Sequence, residues 1–169
     1  MKKRYLLSPQ IIFISISILF WLYLLGPEFI NPLNQSWLYN GDLSISQIGW
    51  KFFRADLWRF PLGLNPNYGI YSGGSIVFSD SIPLLAFIFK FFESFIPETF
   101  QYFSLWILLC IYLQIYLSYK IIFYYSQNFF YSLISSFFFL ISTIFLYRSG
   151  IHLSLMSHWL ILLYFFINI

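Results

Sequence analysis

Ionisable side chains are scarce in this chain, so each one asks for a physical reason. Six acids, nine lysines and arginines and two histidines are spread over 169 residues. Asp42 follows Gly41 and precedes a periodic stretch. It suits a helix N-cap, and it equally suits a carboxylate that takes a proton from a sugar hydroxyl or binds a divalent cation. Asp56 can pair with Arg54 or Arg59, and Asp80, in Ser79-Asp80-Ser81-Ile82-Pro83, suits a cap for the helix that follows. Arg148, in Arg148-Ser149-Gly150-Ile151-His152, sits between two apolar segments. There it can snorkel to the membrane boundary, or grip a lipid-linked phosphate through paired hydrogen bonds. His152 and His158 are six residues apart and do not share a helical face. Each is a candidate polar ligand or acid/base group rather than half of a joint metal site.

Several chemistries are excluded by pattern. No G-x-G-x-x-G, Walker or G-x-S-x-G sequence occurs, so neither a dinucleotide loop nor a nucleophile elbow is expected. The one cysteine, Cys110, lies in an apolar run and reads as packing. The net charge of +3 is scattered, which does not make a nucleic-acid footprint. Asn34-Gln35-Ser36 fits the glycosylation sequon, a pattern common by chance.

The elements that must position these residues follow from composition. Hydrophobic residues are 60% of the chain, aromatics 25% and charged residues 9%, whereas soluble domains carry about 25% charge. Mean hydropathy is +0.75. Such a chain cannot cover its surface with polar groups, so lipid is its expected solvent. The expected fold is all-α: a polytopic transmembrane helical bundle, in a single membrane domain over 1–169, with a long extracytoplasmic first loop carrying interfacial helices.

Spans are expected at 11–25, 99–125 and 129–147, with another beginning at 157–169. Crossing about 30 Å of hydrocarbon takes about 20 apolar residues. Lys2, Lys3 and Arg4 place the N-terminus in the cytoplasm. With no A-x-A site after Leu25, the first span reads as an uncleaved anchor in the inner or plasma membrane. The 28–80 segment is too polar and too rich in Gly, Pro and Asn to span. Within it, Ser44, Gln47, Lys51 and Arg54 form one helical stripe and Ile45, Ile48, Phe52 and Phe53 another, the pattern of a helix lying on the membrane surface. Asn65-Pro66-Asn67-Tyr68-Gly69 and Ser72-Gly73-Gly74-Ser75 are turns. The 82–95 segment rises only about 20 Å between Pro83 and Pro97 and holds Lys90 and Glu93 three apart. It reads as a short interfacial or re-entrant helix, with a full span as the alternative. In the first case Lys120 is cytoplasmic, and Asp42, Asp80, Arg148, His152 and His158 share the outer face. The chain ends in what reads as an unfinished helix, as in the N-terminal part of a larger protein.

Several stretches together carry a family resemblance: Gly41-Asp42, Gly49-Trp50-Lys51-Phe52-Phe53-Arg54, Trp58-Arg59-Phe60-Pro61-Leu62-Gly63-Leu64-Asn65-Pro66-Asn67-Tyr68-Gly69, Ser75 to Ala86, Gln101 to Trp106, His152, and Ser157-His158-Trp159-Leu160-Ile161-Leu162. They resemble an uncharacterised family of bacterial polytopic membrane proteins whose layout is similar to the GT-C class of glycosyltransferases. That resemblance implies transfer of a sugar from a polyprenyl-phosphate donor on the extracytoplasmic face. It implies Asp42 as the catalytic or metal-binding acid, Arg148 at the donor phosphate, and Arg54, Arg59, Asp80, His152 and His158 as further substrate-binding candidates. The expected partners are membrane lipids and the lipid-linked sugar, with a divalent cation as candidate cofactor and no nucleic acid. The rival reading is a non-enzymatic polytopic protein such as a transporter or flippase component. That would show intramembrane polar groups or broken helices in paired repeats.

Overall fold

The structure, a computed structural model, describes residues 9–69 and 73–169. The basic Lys2-Lys3-Arg4 start, and Ser72 of the second turn, lie outside these residues. The described chain is all-α apart from one antiparallel ladder, β1 (Leu64–Asn65) with β2 (Gly74–Ser75), Leu64 opposite Ser75. The helices are α1 (Pro9–Leu25), α2 (Leu43–Ala55), α3 (Pro83–Phe91), α4 (Phe103–Ser126), α5 (Phe129–Leu140), α6 (Thr143–Ser149) and α7 (Trp159–Ile167). They form two compact units. One holds α1, Leu105–Tyr147 and Met156–Ile169; the other holds Ile30–Ser104 and Arg148–Leu155.

In the first unit, α4 runs for 24 residues, about 36 Å at 1.5 Å per residue. Among the described helices it alone is long and apolar enough by itself to cross a bilayer. Phe13 of α1 packs on α4, its ring 4.7 Å from that of Tyr119 and 5.7 Å from that of Tyr116. Cys110 is buried on α4, as a packing residue would be. The expected single helix over 129–147 is broken: α5 and α6 meet at 54°. The break falls at Ile141-Ser142, between the end of α5 and the start of α6. α1 has 17 residues, roughly 25 Å of rise.

In the second unit, α2 buries one face: Leu43, Ser46, Gln47, Gly49, Trp50 and Phe53 recur at helical spacing. Trp50 meets Tyr102 edge-on at 5.1 Å, and Phe53 meets Phe87 of α3 at 5.4 Å. Burying a side chain such as Phe53 contributes roughly 1.5–3 kcal/mol. The two expected stripes of α2 hold in part. Ile45, Ile48 and Phe52 point outward together and Lys51 is exposed, while Gln47 of the polar stripe and Phe53 of the apolar one are buried. Helical periodicity alone does not reveal which residues of each stripe meet the rest of the protein.

α2 and α3 hold one another by exchanging cations. Lys90 of α3 is fully buried and donates to the Phe53 carbonyl at 2.5 Å and the Leu57 carbonyl at 3.4 Å, with its ammonium 4.2 Å from the Phe53 ring centre. Burial pushes the Lys90 ammonium below the usual lysine range. In return, Arg54 of α2 donates to the carbonyls of Pro97 (2.7 Å), Glu93 (3.2 Å) and Ile96 at the end of the α3 segment. Cations at helix C-termini complement the orphan carbonyls there. The expected Lys90–Glu93 pair gives way to this arrangement, since Lys90 turns inward to carbonyls. α3 itself has nine residues, about 13 Å of rise, well short of the hydrocarbon thickness.

Gly49 is where α2 comes closest to the 3₁₀ turn Ile76–Ser79. A Cβ there would stand 2.3 Å from the Ser79 Cβ and 2.7 Å from the Ser81 hydroxyl. Gly49→Ala is therefore expected to destabilise by about 1–3 kcal/mol through overpacking, seen as a lowered midpoint in thermal unfolding. Ile48→Ala, on the outward face, should stay within about 0.5 kcal/mol.

Candidate active site

Asp42 opens α2, but its side chain does not cap it. Its backbone is already helical (φ −68°, ψ −22°) and it makes no side-chain capping bond. A capping residue ordinarily needs the extended conformation to reach back to the first-turn N–H groups. The Asp42 carboxylate faces His152 instead, with Oδ2 4.0 Å from Nε2. His152 sits on a tight turn after α6, its N–H donating to the Arg148 carbonyl at 3.1 Å and its own carbonyl accepting from Leu155 N–H at 3.1 Å. The other ring nitrogen, Nδ1, is 3.8 Å from Asp80 Oδ2. Three of the candidate residues thus converge in the order Asp42–His152–Asp80.

Asp80 does not cap α3 either, since Ile82 occupies the N-cap position. Asp80 lies in the left-handed region (φ 53°) and so does Ile82 (φ 49°). Asp tolerates that conformation, but a β-branched residue there is strained, at about 1–3 kcal/mol, and persists only where its surroundings over-determine it. The intervening Ser81 supplies the constraint. Its hydroxyl donates to the Ser46 carbonyl at 2.7 Å and lies 2.8 Å from the Ser79 hydroxyl, while its carbonyl accepts from the Tyr102 hydroxyl. This bracing fixes the Asp80 carboxylate. Oδ1 accepts from the Ser154 N–H at 3.2 Å and from the Ser154 hydroxyl. Oδ2 is buried, has no hydrogen-bond partner and points at the imidazole.

Exposure falls along the group. The Asp42 side chain is 55% exposed, His152 41% and Asp80 19%. Asp42 is the most open carboxylate, Asp80 the innermost, and the His152 ring lies between them, beyond hydrogen-bond distance of either. The two carboxylates address opposite nitrogens of one ring, so they do not converge on a common point. Among the described residues no group of three or more His, Cys, Asp or Glu side chains is placed to hold a metal ion. The divalent-cation role for Asp42 thus finds no ligand set here.

The other candidates lie elsewhere. Arg54 is occupied by the three carbonyls at the end of the α3 segment. Arg59 forms a two-point pair with Asp56 (2.8 and 3.1 Å), which holds the Asp56 carboxyl below its usual range. Of the two partners the sequence leaves open for Asp56, the structure selects Arg59. Arg148 is partly buried, and its carbonyl starts the turn that presents His152. His158 belongs to the other unit, its ring 6.1 Å from that of Phe145. Sequence reasoning misses Ser154 altogether. A serine between two leucines carries no motif, and its only signal is polarity in an apolar stretch.

The architecture defines a class: an all-α protein with one helix long and apolar enough to cross a membrane, bearing a surface carboxylate–imidazole–carboxylate group. A family model, Domain of unknown function (DUF6311), matches residues 14–169, and the chain belongs to that family. No curated protein and no solved structure matches it.

Ser154→Ala removes the hydroxyl donor to Asp80 Oδ1 while leaving the backbone N–H bond. A hydrogen bond to a charged group contributes roughly 1.5–3 kcal/mol. The expected loss sits near the lower bound, because Asp80 is not fully buried, and chemical denaturation of wild type and variant measures it.

Proposed function

We propose that this protein is a polytopic membrane enzyme of the GT-C-like type, transferring a sugar from a polyprenyl-phosphate donor to an acceptor hydroxyl on the extracytoplasmic face. The observation that carries the reading is the Asp42 carboxylate, free of any capping bond, solvent-accessible and facing His152. In the proposed step Asp42 accepts the proton of the acceptor hydroxyl as its oxygen attacks the anomeric carbon. The bond from that carbon to the phosphate oxygen breaks, and the polyprenyl phosphate departs with the electron pair. His152, which stands between Asp42 and Asp80, offers the proton an onward route. Arg148 is the candidate cation for the departing phosphate.

Support for several crossings comes from the apolar helices α1 and α7 and from the bent α5–α6 pair, beside α4. In this reading the 28–80 segment lies outside, and the short α3 rests at the interface or re-enters. Cysteine labelling from the outside, in a Cys110-free background, is expected to modify positions 51 and 148 and to spare position 120. Labelling at 120 with protection at 148 would invert every later crossing and make the 82–95 segment a span.

The decisive substitution is Asp42→Asn, which keeps the shape and removes the charge. Transfer should fall by about 10²–10⁴-fold, the usual loss for a positioned general base, for both Asn and Ala variants. Membrane insertion and unfolding midpoint should stay unchanged, since the side chain makes no capping bond. The measurement is sugar transfer, or the matching cell-surface glycan, by the full-length protein. Wild-type transfer by Asp42→Asn would falsify the catalytic assignment and favour a non-enzymatic role such as transport.

A further inference from the structure

A second polar site lies in the same unit, away from Asp42. A cavity of about 610 Å³ opens between the far half of α2, the turn Glu93–Phe95 and the loop at Glu98-Thr99. Four charged side chains line it: Lys51 and Arg54 from α2, and Glu93 and Glu98 from the segment that follows α3. None of these pairs with another. Among the described residues Arg59 pairs with Asp56, and His152 lies against Asp42 and Asp80, but no ion pair joins the four residues of this cavity to one another. The cations are instead held by neutral groups. Lys51 donates to the Tyr39 hydroxyl, which donates to the Gln35 side-chain carbonyl at 2.9 Å. Arg54 donates to carbonyls through two of its nitrogens, leaving part of its five-donor set for a ligand. Two positive and two negative groups thus line one space of ligand size without pairing with one another.

Phe92 and Phe95, which flank Glu93 and Ser94 in sequence, are exposed. A polar cavity lined by charges of both signs that form no ion pair with one another, with exposed phenyl rings next to Glu93 and Ser94 in sequence, suits an amphiphile whose head carries an anion and a cation together. We propose that this cavity binds the head group of a zwitterionic, primary-amine phospholipid of the phosphoethanolamine type. Its phosphate addresses Lys51 and Arg54, its ammonium addresses Glu93 and Glu98, and its acyl chains lie along Phe92 and Phe95. A primary ammonium donates charge-assisted hydrogen bonds to carboxylates; a quaternary choline has no N–H to donate, and a purely anionic head meets the two glutamates with like charge. The proposal rests on the membrane reading and not on sugar transfer.

Native mass spectrometry of the full-length protein in detergent tests it, with phosphatidylethanolamine, phosphatidylcholine and phosphatidylglycerol of identical acyl chains as probes. The ethanolamine lipid should be retained about tenfold better than either other lipid, the order expected for one charge-assisted bond. Glu93→Gln/Glu98→Gln should erase that preference, and Lys51→Gln should weaken retention of both phosphate-bearing zwitterions. The Glu98 carboxylate has no hydrogen-bond or ion-pair partner in the structure, so Glu98→Gln alone, expected to reduce the preference, keeps the test open if the double variant fails to fold. Asp42→Asn should leave lipid retention unchanged, which separates this site from the transfer chemistry. Equal retention of all three lipids, or a preference that survives both glutamate changes, overturns the proposal. Soluble glycerophosphoethanolamine competing as well as the lipid would assign the cavity to a free small molecule and overturn the lipid reading.

Discussion

The hydrogen bond from the Ser81 hydroxyl to the Ser46 carbonyl is the contact on which the second unit depends. Ser81 is fully buried, and so are Ser79, Ser46 and Tyr102 around it. Here the Ser79 and Ser81 hydroxyls and the Ser46 carbonyl satisfy one another, which favours one register of the Ile76–Ile82 segment against α2. The left-handed Asp80 and Ile82 are tolerated because of it, and the absence of a Cβ at Gly49 leaves the room it needs. Move that segment and Asp80 no longer faces His152. The candidate active site is thus a consequence of packing between the segment and the helix that carries Asp42.

The same unit shows how a chain with few charges places them. Lys90 and Arg54 could have been paired with carboxylates. They cross between α2 and α3 and satisfy carbonyls at the ends of each other's segments. This keeps a buried cation partnered without burying an anion with it, which lessens the desolvation penalty of a full ion pair. It also leaves the acids Glu93 and Glu98 turned to the open cavity and Asp42 turned to the site. Charge that does not brace the fold is what remains available for ligands.

Much of the element order was legible in the residues. Helices α1, α4 and α7 stand within the apolar runs expected to be helical, and α3 begins at Pro83, a residue suited to the first helical turn. The break at Ile141-Ser142 was not legible, because no Pro or Gly marks it in the 129–147 stretch. The stripes of α2 were legible in part: Ile45, Ile48 and Phe52 point outward together, while Gln47 and Phe53 turn inward. Periodicity tells which residues share a face, but it does not tell whether a polar face meets water or a polar interior.

For the site, scarcity of charge was the useful signal. It picked out Asp42, Asp80 and His152 among few alternatives, and these are the residues that meet. The same signal also picked out Arg54 and Arg59, which the structure holds in backbone and ion-pair contacts. A sequence of 169 residues with 9% charge determines by itself that apolar surface dominates and that helices supply the backbone's hydrogen bonds. Residues 42, 80 and 152 are separated by long stretches of chain, so their distances depend on which segments pack together. Only the tertiary structure decided that Asp42 turns to an imidazole instead of its own helix, because hydrogen-bond partners distant in sequence set that choice.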